Sequence, residues 1–242
     1  GDVQALRDRS PSMGRWPEQQ MLRFQTQDNI NRTHMDRAEL QSQHKTFSLG
    51  LEFIERNRDA DRWFLQIETF DPHEPFDTPE PWASRYQDGP WDEEWMIWPP
   101  YLDGGVSRGE LTERQARHLR ANYGAKLSMI DHWLGHVLDA MDATDAWEDT
   151  AVILCTDHGH YLGERDVHGR DVWGKPGVPV YKPLGHIPMF IAWPGVAPSV
   201  NDALTTSTDI HATILKQLGL DSHRLEVPGR KRLDIDHGKP ID

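Results

Sequence analysis

The feature that most constrains the fold of this 242-residue chain is an apolar run, TAVILCT (150–156), that ends abruptly in Asp-His-Gly (157–159). An apolar run of this kind is typical of a central strand in a parallel sheet, which is buried on both faces. A second run, IPMFIAW (187–193), is followed by a Pro-Gly pair that stops it. The two runs predict a buried sheet at the centre of the fold.

Helical patterns flank these predicted strands. From residue 36 to residue 57 the apolar residues fall at helical spacing, which predicts an amphipathic helix. Thr112 and Gln115 have the spacing of a capping box and precede a long apolar stripe of helical period. A shorter helix is predicted over Thr208 to Leu218.

Between the first two helices, RWFLQIETF (62–70) is predicted to be a buried strand, and residues 71–110 a long loop rich in proline and tryptophan. The tryptophans on this loop either anchor it as an apolar cluster or form a stacking wall for a sugar or aryl group. They are Trp82, Trp91, Trp95 and Trp98. The order helix, strand, long loop, helix, strand, loop, strand, helix predicts an α/β fold with a mostly parallel sheet flanked by helices.

Three regions are expected along the chain. Residues 1–35 lack a sustained period and are predicted to be an irregular arm, residues 36–220 an α/β domain, and residues 221–242 a polar C-terminal tail. The single cysteine, Cys155, excludes an intrachain disulfide and a cysteine metal cluster.

Charge and hydropathy narrow the expected partners. The formal net charge of -13 argues against nucleic acid, because a phosphate backbone is held by clustered lysine and arginine. The sequence has no apolar stretch long enough to cross a bilayer, so no membrane partner is expected.

Two groups of residues could carry chemistry where strands end. In open α/β sheets ligands bind beyond the carboxyl ends of the strands, so Asp157 and His158 are expected to face one crevice with His73. Asp157 and His158 are candidate ligands of a divalent ion, or alternatively a cap for the loop that follows. His73, held between two prolines, could donate a proton or simply form a turn.

Further basic residues follow the Asp-His pair. Lys175 in WGKPG is the preferred anion contact, with Lys182 as the alternative and a plain surface lysine as the simpler interpretation of each. His160 and His168 also admit a separate zinc site, although single histidines in polar loops are more often solvated.

Several segments, taken in their order along the chain, resemble the later part of a sulfatase of the alkaline phosphatase superfamily. The resemblance covers about residues 61–233 and is carried by FLQIETFDPHEPF, YGAKLSMIDHWLGHVLDAMDA, TAVILCTDHGHYLGE, WGKPG, IPMFIAWPG, STDIHATILKQLGL and PGRKRL. It implies an alkaline-phosphatase-like fold, truncated at the N-terminus.

The resemblance also implies roles. Asp157 and His158 match ligands of a divalent cation, commonly calcium and in relatives manganese or zinc. Lys175 matches a lysine that contacts the transferred sulfate or phosphate group, and His73 a histidine that assists the leaving group. The implied reaction is displacement at sulfur or phosphorus, with an ester as substrate.

The departures from the family pattern define the alternatives. The sequence contains no Cys/Ser-x-Pro-x-Arg nucleophile motif, and no strand with an acidic pair precedes residue 61. The chain is therefore interpreted as a fragment that holds half an active site. Its complete form is expected to hydrolyse sulfate esters, or alternatively phosphonate monoesters or phosphodiesters. A third hypothesis is a non-catalytic fragment, and an exposed sheet edge predicts self-association.

Overall fold

The computed structural model describes residues 26–28, 30–93, 95–175 and 180–219. Contacts divide the chain into two compact units, Gly1–Gly195 and Val196–Asp242. The first contains helices α1 (Ser42–Asn57), α2 (Glu113–Ala143) and α3 (Lys182–Gly185), and strands β1 (Val152–Cys155), β2 (Tyr161–Arg165), β3 (Asp171–Gly174) and β4 (Met189–Ala192). The second contains α4 (Ser207–Gln217). None of the helices in the described part of the chain is long and apolar enough to span a membrane.

The three predicted helices are confirmed as α1, α2 and α4. The capping box of α2 is present, because the Gln115 backbone N–H donates to Thr112 Oγ1 at 3.1 Å and the Thr112 N–H donates to Gln115 Oε1 at 3.0 Å. Residue Gly219 after α4 has a φ of 69°, the left-handed conformation that glycine adopts most readily at a helix end.

Residues 1–35 were predicted to form an irregular arm, but the described part of this segment contains helical residues. Residues 26–28 and 30–32 are helical, and the Arg32 guanidinium pairs with Asp28 one helical turn earlier at 3.1 Å. The periodicity of so short a polar segment was too weak to indicate a helix. Residues 1–25 and the predicted tail at 221–242 lie outside the described residues.

The core of the first unit lies around α2, against which the long loop 71–110 packs. Trp98 belongs to a buried cluster with Phe76, Ile97, Leu111, Ala116, Leu119 and Trp173. Trp82 belongs to a second cluster with Ala38, Ala125 and Met129. These contacts confirm the anchoring interpretation for Trp82 and Trp98, and they explain how a loop of this length is held in one conformation.

The prediction of a mostly parallel sheet is wrong for the described residues, which form two small antiparallel sheets. β1 pairs with β4 in antiparallel register, with Leu154 opposite Phe190, and β2 pairs with β3 as an antiparallel hairpin. The apolar runs correctly indicated β1 and β4, but such runs carry no information on strand direction. β1 is also less buried than predicted, since Leu154 is 41% exposed.

Residues 62–70 form no strand, and Arg62 at the start has a φ of 60°, outside the extended region. Their exposure alternates, with Phe64 and Phe70 on the exposed side and Leu65 and Ile67 packed against the α1 cluster. The predicted strand is therefore not formed, and the prediction that the segment is buried is wrong for its exposed side.

Candidate active site

The turn after residues 62–70 is held at both ends by one lysine of α2. Lys126 Nζ lies 2.6 Å from Asp71 Oδ1 and donates to the Pro75 carbonyl oxygen, also at 2.6 Å. Both charged side chains are less than a tenth exposed. Removing one partner of a buried ion pair strongly destabilises the fold, because the other charge is then left uncompensated. The contacts of Lys126 therefore fix the position of the residues between 71 and 75.

His73 and Lys175 meet although 102 positions separate them in the sequence. Lys175 directly follows β3, whose residues are all buried. Its Nζ donates to His73 Nε2 at 2.8 Å, while His73 Nδ1 lies 2.8 Å from the Glu74 carbonyl oxygen. A carbonyl only accepts, so Nδ1 carries the imidazole proton and Nε2 is the acceptor. Lys182 opens α3 and is exposed, so the two lysines differ clearly in environment.

Glu74 lies at the centre of the same cluster and was missed by sequence reasoning. Its side chain is 1% exposed, with Oε1 3.3 Å from Lys175 Nζ and Oε2 within 3.5 Å of a nitrogen of both His73 and His160. Burial disfavours the carboxylate, but His160, the Glu74 backbone N–H and the basic side chains of His73 and Lys175 outweigh it. Together they lower the pKa of Glu74 to about 2. The carboxylate is therefore ionised at neutral pH.

His160 belongs to the same cluster. Its ring makes edge contacts with Phe76 at 5.3 Å, and its Nδ1 lies 3.1 Å from the Tyr161 carbonyl oxygen. Among the described residues, no group of three or more histidine, cysteine, aspartate or glutamate side chains could hold a metal ion. His168 is exposed at the tip of the β2–β3 hairpin.

Gly159 shapes the segment that carries His160. A Cβ at this position would lie 1.9 Å from the Pro183 carbonyl oxygen, and the Gly159 N–H donates to the Leu184 carbonyl at 2.8 Å. Its φ is not positive, so the glycine is needed for this close approach to α3 and not for a left-handed backbone conformation.

Asp157 and His158 are adjacent but make an incomplete donor set. Asp157 Oδ2 lies 3.7 Å from His158 Nε2, so both atoms could touch one ion, but the two side chains are 84% and 41% exposed. Asp157 Oδ1 also accepts from the His158 N–H at 2.8 Å, which is the capping contact weighed as the alternative. Calcium takes about six to eight oxygen ligands, so the described residues do not by themselves fit it.

The aromatic loop offers little free stacking surface around Trp91. The ring of His118 stacks on it with centroids 3.7 Å apart, and the Arg114 guanidinium lies 4.6 Å from the Trp91 ring centroid. Trp95 contacts His118 edge-on at 4.6 Å. These contacts favour an anchoring role over a sugar-stacking wall.

Comparison with known proteins gives the family. The Sulfatase family model matches residues 11–220. The chain belongs to the Sulfatase family. The matched region includes His73, Glu74, Asp157, His158 and Lys175.

Curated and solved relatives support this membership. The chain is 26% identical over 200 residues to a choline-sulfatase from Rhizobium meliloti, covering 76% of this chain and 36% of that protein. It is 28% identical over 231 residues to the multifunctional alkaline phosphatase superfamily protein PehA from Trinickia caryophylli, covering 82% and 43%. A phosphonate monoester hydrolase structure from Silicibacter pomeroyi matches with a TM-score of 0.61 and 25% identity, covering 85% and 41%.

The chain spans about two-fifths of the length of these relatives. The expected resemblance to the sulfatases of the alkaline phosphatase superfamily is thus confirmed, and the partial coverage is consistent with a fragment. The structural neighbours also support the alkaline-phosphatase-like fold class, although the described residues form only small antiparallel sheets.

Proposed function

We propose that this chain contributes the anion-binding and leaving-group half of a sulfate ester hydrolase. The observation that carries the proposal is the 2.8 Å contact between Lys175 Nζ and His73 Nε2, on residues that the family resemblance assigned to the transferred group and the leaving oxygen. A fixed ammonium and an imidazole at one point suit a substrate that combines an anionic group with an alcohol leaving group.

In this proposal each residue has a separate task. Lys175 binds the oxygens of the sulfate group and offsets the charge that grows on them in the transition state. As the bond from sulfur to the alcohol oxygen breaks, that oxygen takes a proton from the His73–Lys175 pair. The attacking nucleophile comes from elsewhere in the site, because the sequence has no Cys/Ser-x-Pro-x-Arg motif.

Hydrolysis of phosphonate monoesters is the second candidate. The match to the Silicibacter pomeroyi structure, which is named as a phosphonate monoester hydrolase, favours it. A sulfate ester and a phosphonate monoester both carry one negative charge at neutral pH. Lys175 alone therefore does not separate the two chemistries.

Calorimetric titration of inorganic sulfate and of methylphosphonate into the chain tests the proposal. Lys175→Met should weaken sulfate binding about tenfold or more, as expected for the loss of a charge-assisted contact. Lys182→Met is the matched control and should bind as the wild type does. Equal affinity in wild type and Lys175→Met would contradict the proposal, and stronger binding of methylphosphonate would favour the second candidate.

We also propose that a divalent metal ion, with calcium as the first choice and manganese or zinc as alternatives, binds at this site with ligands in addition to Asp157 and His158. When bound it would supply Lewis-acid charge next to the sulfate oxygens. Asp157 and His158 are the residues of this chain proposed to contact it. Calcium chloride is titrated into the wild type and into Asp157→Ala. If Asp157 is a metal ligand, the wild type should bind calcium and Asp157→Ala should not. If Asp157 only caps the loop, the substitution should lower stability without any dependence on calcium.

A further inference from the structure

Glu74 has no role in the reaction proposed above, yet it is the most buried charged group of the cluster. Its side chain is 1% exposed, and neither carboxylate oxygen has a hydrogen bond of good geometry. A buried charge without compensation is strongly unfavourable, so a protein retains one only where oppositely charged groups lie close to it. Glu74 meets this condition through the Lys175 ammonium, while the imidazoles of His73 and His160 lie beside its other oxygen.

The two oxygens of Glu74 have different neighbours. Oε2 lies 3.5 Å from His73 Nδ1 and 3.4 Å from His160 Nε2. Oε1 lies 3.3 Å from Lys175 Nζ. The two imidazoles therefore lie on one side of the carboxylate, and the other oxygen faces the lysine.

This division of contacts fixes Lys175 where the proposed chemistry needs it. A lysine side chain has four rotatable bonds and loses considerable entropy when it is held in one place. The Lys175 side chain is 20% exposed, so it could otherwise extend into water. The contact with Glu74 Oε1 keeps its Nζ beside His73 Nε2 instead.

We propose that Glu74 is a positioning residue that holds Lys175 Nζ against His73 Nε2, with His160 packed behind the carboxylate. This inference rests on the proposed function for its meaning, but its test does not require turnover. Glu74 itself does not touch the substrate in this arrangement.

A simple counter-charge would behave differently from a positioning residue. If Glu74 only neutralised Lys175, its removal would leave an uncompensated cation at an anion site, and sulfate would bind more tightly. If Glu74 positions Lys175, the lysine leaves His73 when the carboxylate is removed, and sulfate binds more weakly. The two roles therefore predict opposite changes in the dissociation constant.

The experiment compares the full chain with Glu74→Gln, which is isosteric but uncharged, and with Glu68→Gln, which changes an exposed glutamate nearby. Nitrogen NMR of histidine-labelled protein at pH 7.5 reports whether His73 Nε2 accepts a hydrogen bond. In Glu74→Gln the Nε2 resonance should move to the position of an imidazole nitrogen without a donor, and sulfate should bind about tenfold more weakly. Glu68→Gln should match the wild type in both measurements.

An unchanged His73 resonance, or tighter sulfate binding, in a folded Glu74→Gln protein would overturn the inference. If wild type binds no sulfate, the proposed function fails, and the His73 resonance alone then decides the role of Glu74. If Glu74→Gln does not fold, Glu74→Asp keeps the charge but withdraws it by one methylene, and it should shift the resonance in the same direction. A wild-type His73 resonance in Glu74→Asp would contradict the inference.

Discussion

At the scale of single residues, His118 shows how the aromatic loop is tied to α2. It is 3% exposed, its Nδ1–H donates to Gln87 Oε1 at 2.7 Å, and Trp91 covers one face. Burial, followed by the nearby Arg114 guanidinium, lowers the pKa of His118 from 6.5 to about 4, although Glu93 acts in the opposite direction. His118 is therefore neutral in the folded chain at pH 5 and above.

This lowered pKa makes the folding stability depend on pH. Between pH 6.5 and pH 4 the unfolded chain binds a proton at His118 that the folded chain does not, so stability is full above pH 6.5 and is lost as the pH falls. We expect the free energy of unfolding to fall by roughly 2 kcal/mol at this site between pH 7.5 and pH 5. Urea titrations followed by tryptophan fluorescence measure it.

The comparison that isolates His118 uses two variants. In His118→Gln this part of the pH dependence should disappear, whereas His168→Gln, at an exposed histidine, should follow the wild type. If wild type and His118→Gln lost stability in parallel from pH 7.5 to pH 5, the buried neutral imidazole would not be the source.

At the scale of elements, α2 organises the first unit, because it supplies Lys126 to the site turn and buried residues to all three core clusters. Its first turn depends on the capping box, in which Thr112 Oγ1 accepts a hydrogen bond from the Gln115 N–H.

Thr112→Ala leaves that N–H without its acceptor and should lower the free energy of unfolding by about 1 kcal/mol. Thr112→Ser retains the acceptor and should differ little from wild type in the same urea titration. Equal loss in both variants would mean that the hydroxyl is not what matters.

The elements also show what could be predicted from the sequence. Helices α1, α2 and α4 follow from long periodic patterns and caps, which are local. The β2–β3 hairpin was missed because its strands are short and partly polar, and because the burial of Trp173 depends in part on residues distant in sequence such as Phe76 and Leu119. Strand direction in the β1–β4 pair was wrong for the same reason, since pairing is not a local property.

The residues of the candidate site also differ in whether local sequence indicates them. His73 and Lys175 stand out locally, through flanking prolines and glycines, and the structure brings them together. Glu74 and His160 become notable only once three segments meet, because nothing in HEP or HGH indicates that these side chains are buried. Asp157 and His158 are placed side by side but exposed, so their role as ligands stays a prediction.

At the scale of the whole molecule, the β1–β4 pair presents an apolar surface to solvent. Leu154 and Phe190 are direct partners across the two strands and are 41% and 65% exposed. Opposed residues of an antiparallel pair point to the same face, so Leu154 and Phe190 form one continuous patch. Among the described residues, neither strand has a second strand partner, and such edges favour pairing with another chain.

Two opposing forces then decide whether copies associate. Burial of the patch favours association, whereas the formal net charge of -13 on each copy opposes it. Salt screens this repulsion, with a Debye length of about 8 Å at 0.15 M, and leaves the apolar contribution largely intact. We therefore propose that the chain self-associates and that its mean mass rises with both protein concentration and salt.

Light scattering coupled to size-exclusion chromatography measures this mass directly. Phe190→Lys places a charge in the patch and should return the mass towards that of a monomer at every salt concentration. Val167→Lys adds the same charge at an apolar residue that is 76% exposed on the β2–β3 hairpin, away from the β1–β4 pair, and should associate as the wild type does. A strictly monomeric wild type at high protein and salt concentrations would contradict the proposal. An equal effect of both substitutions would assign association to net charge alone, because only the patch distinguishes the two positions.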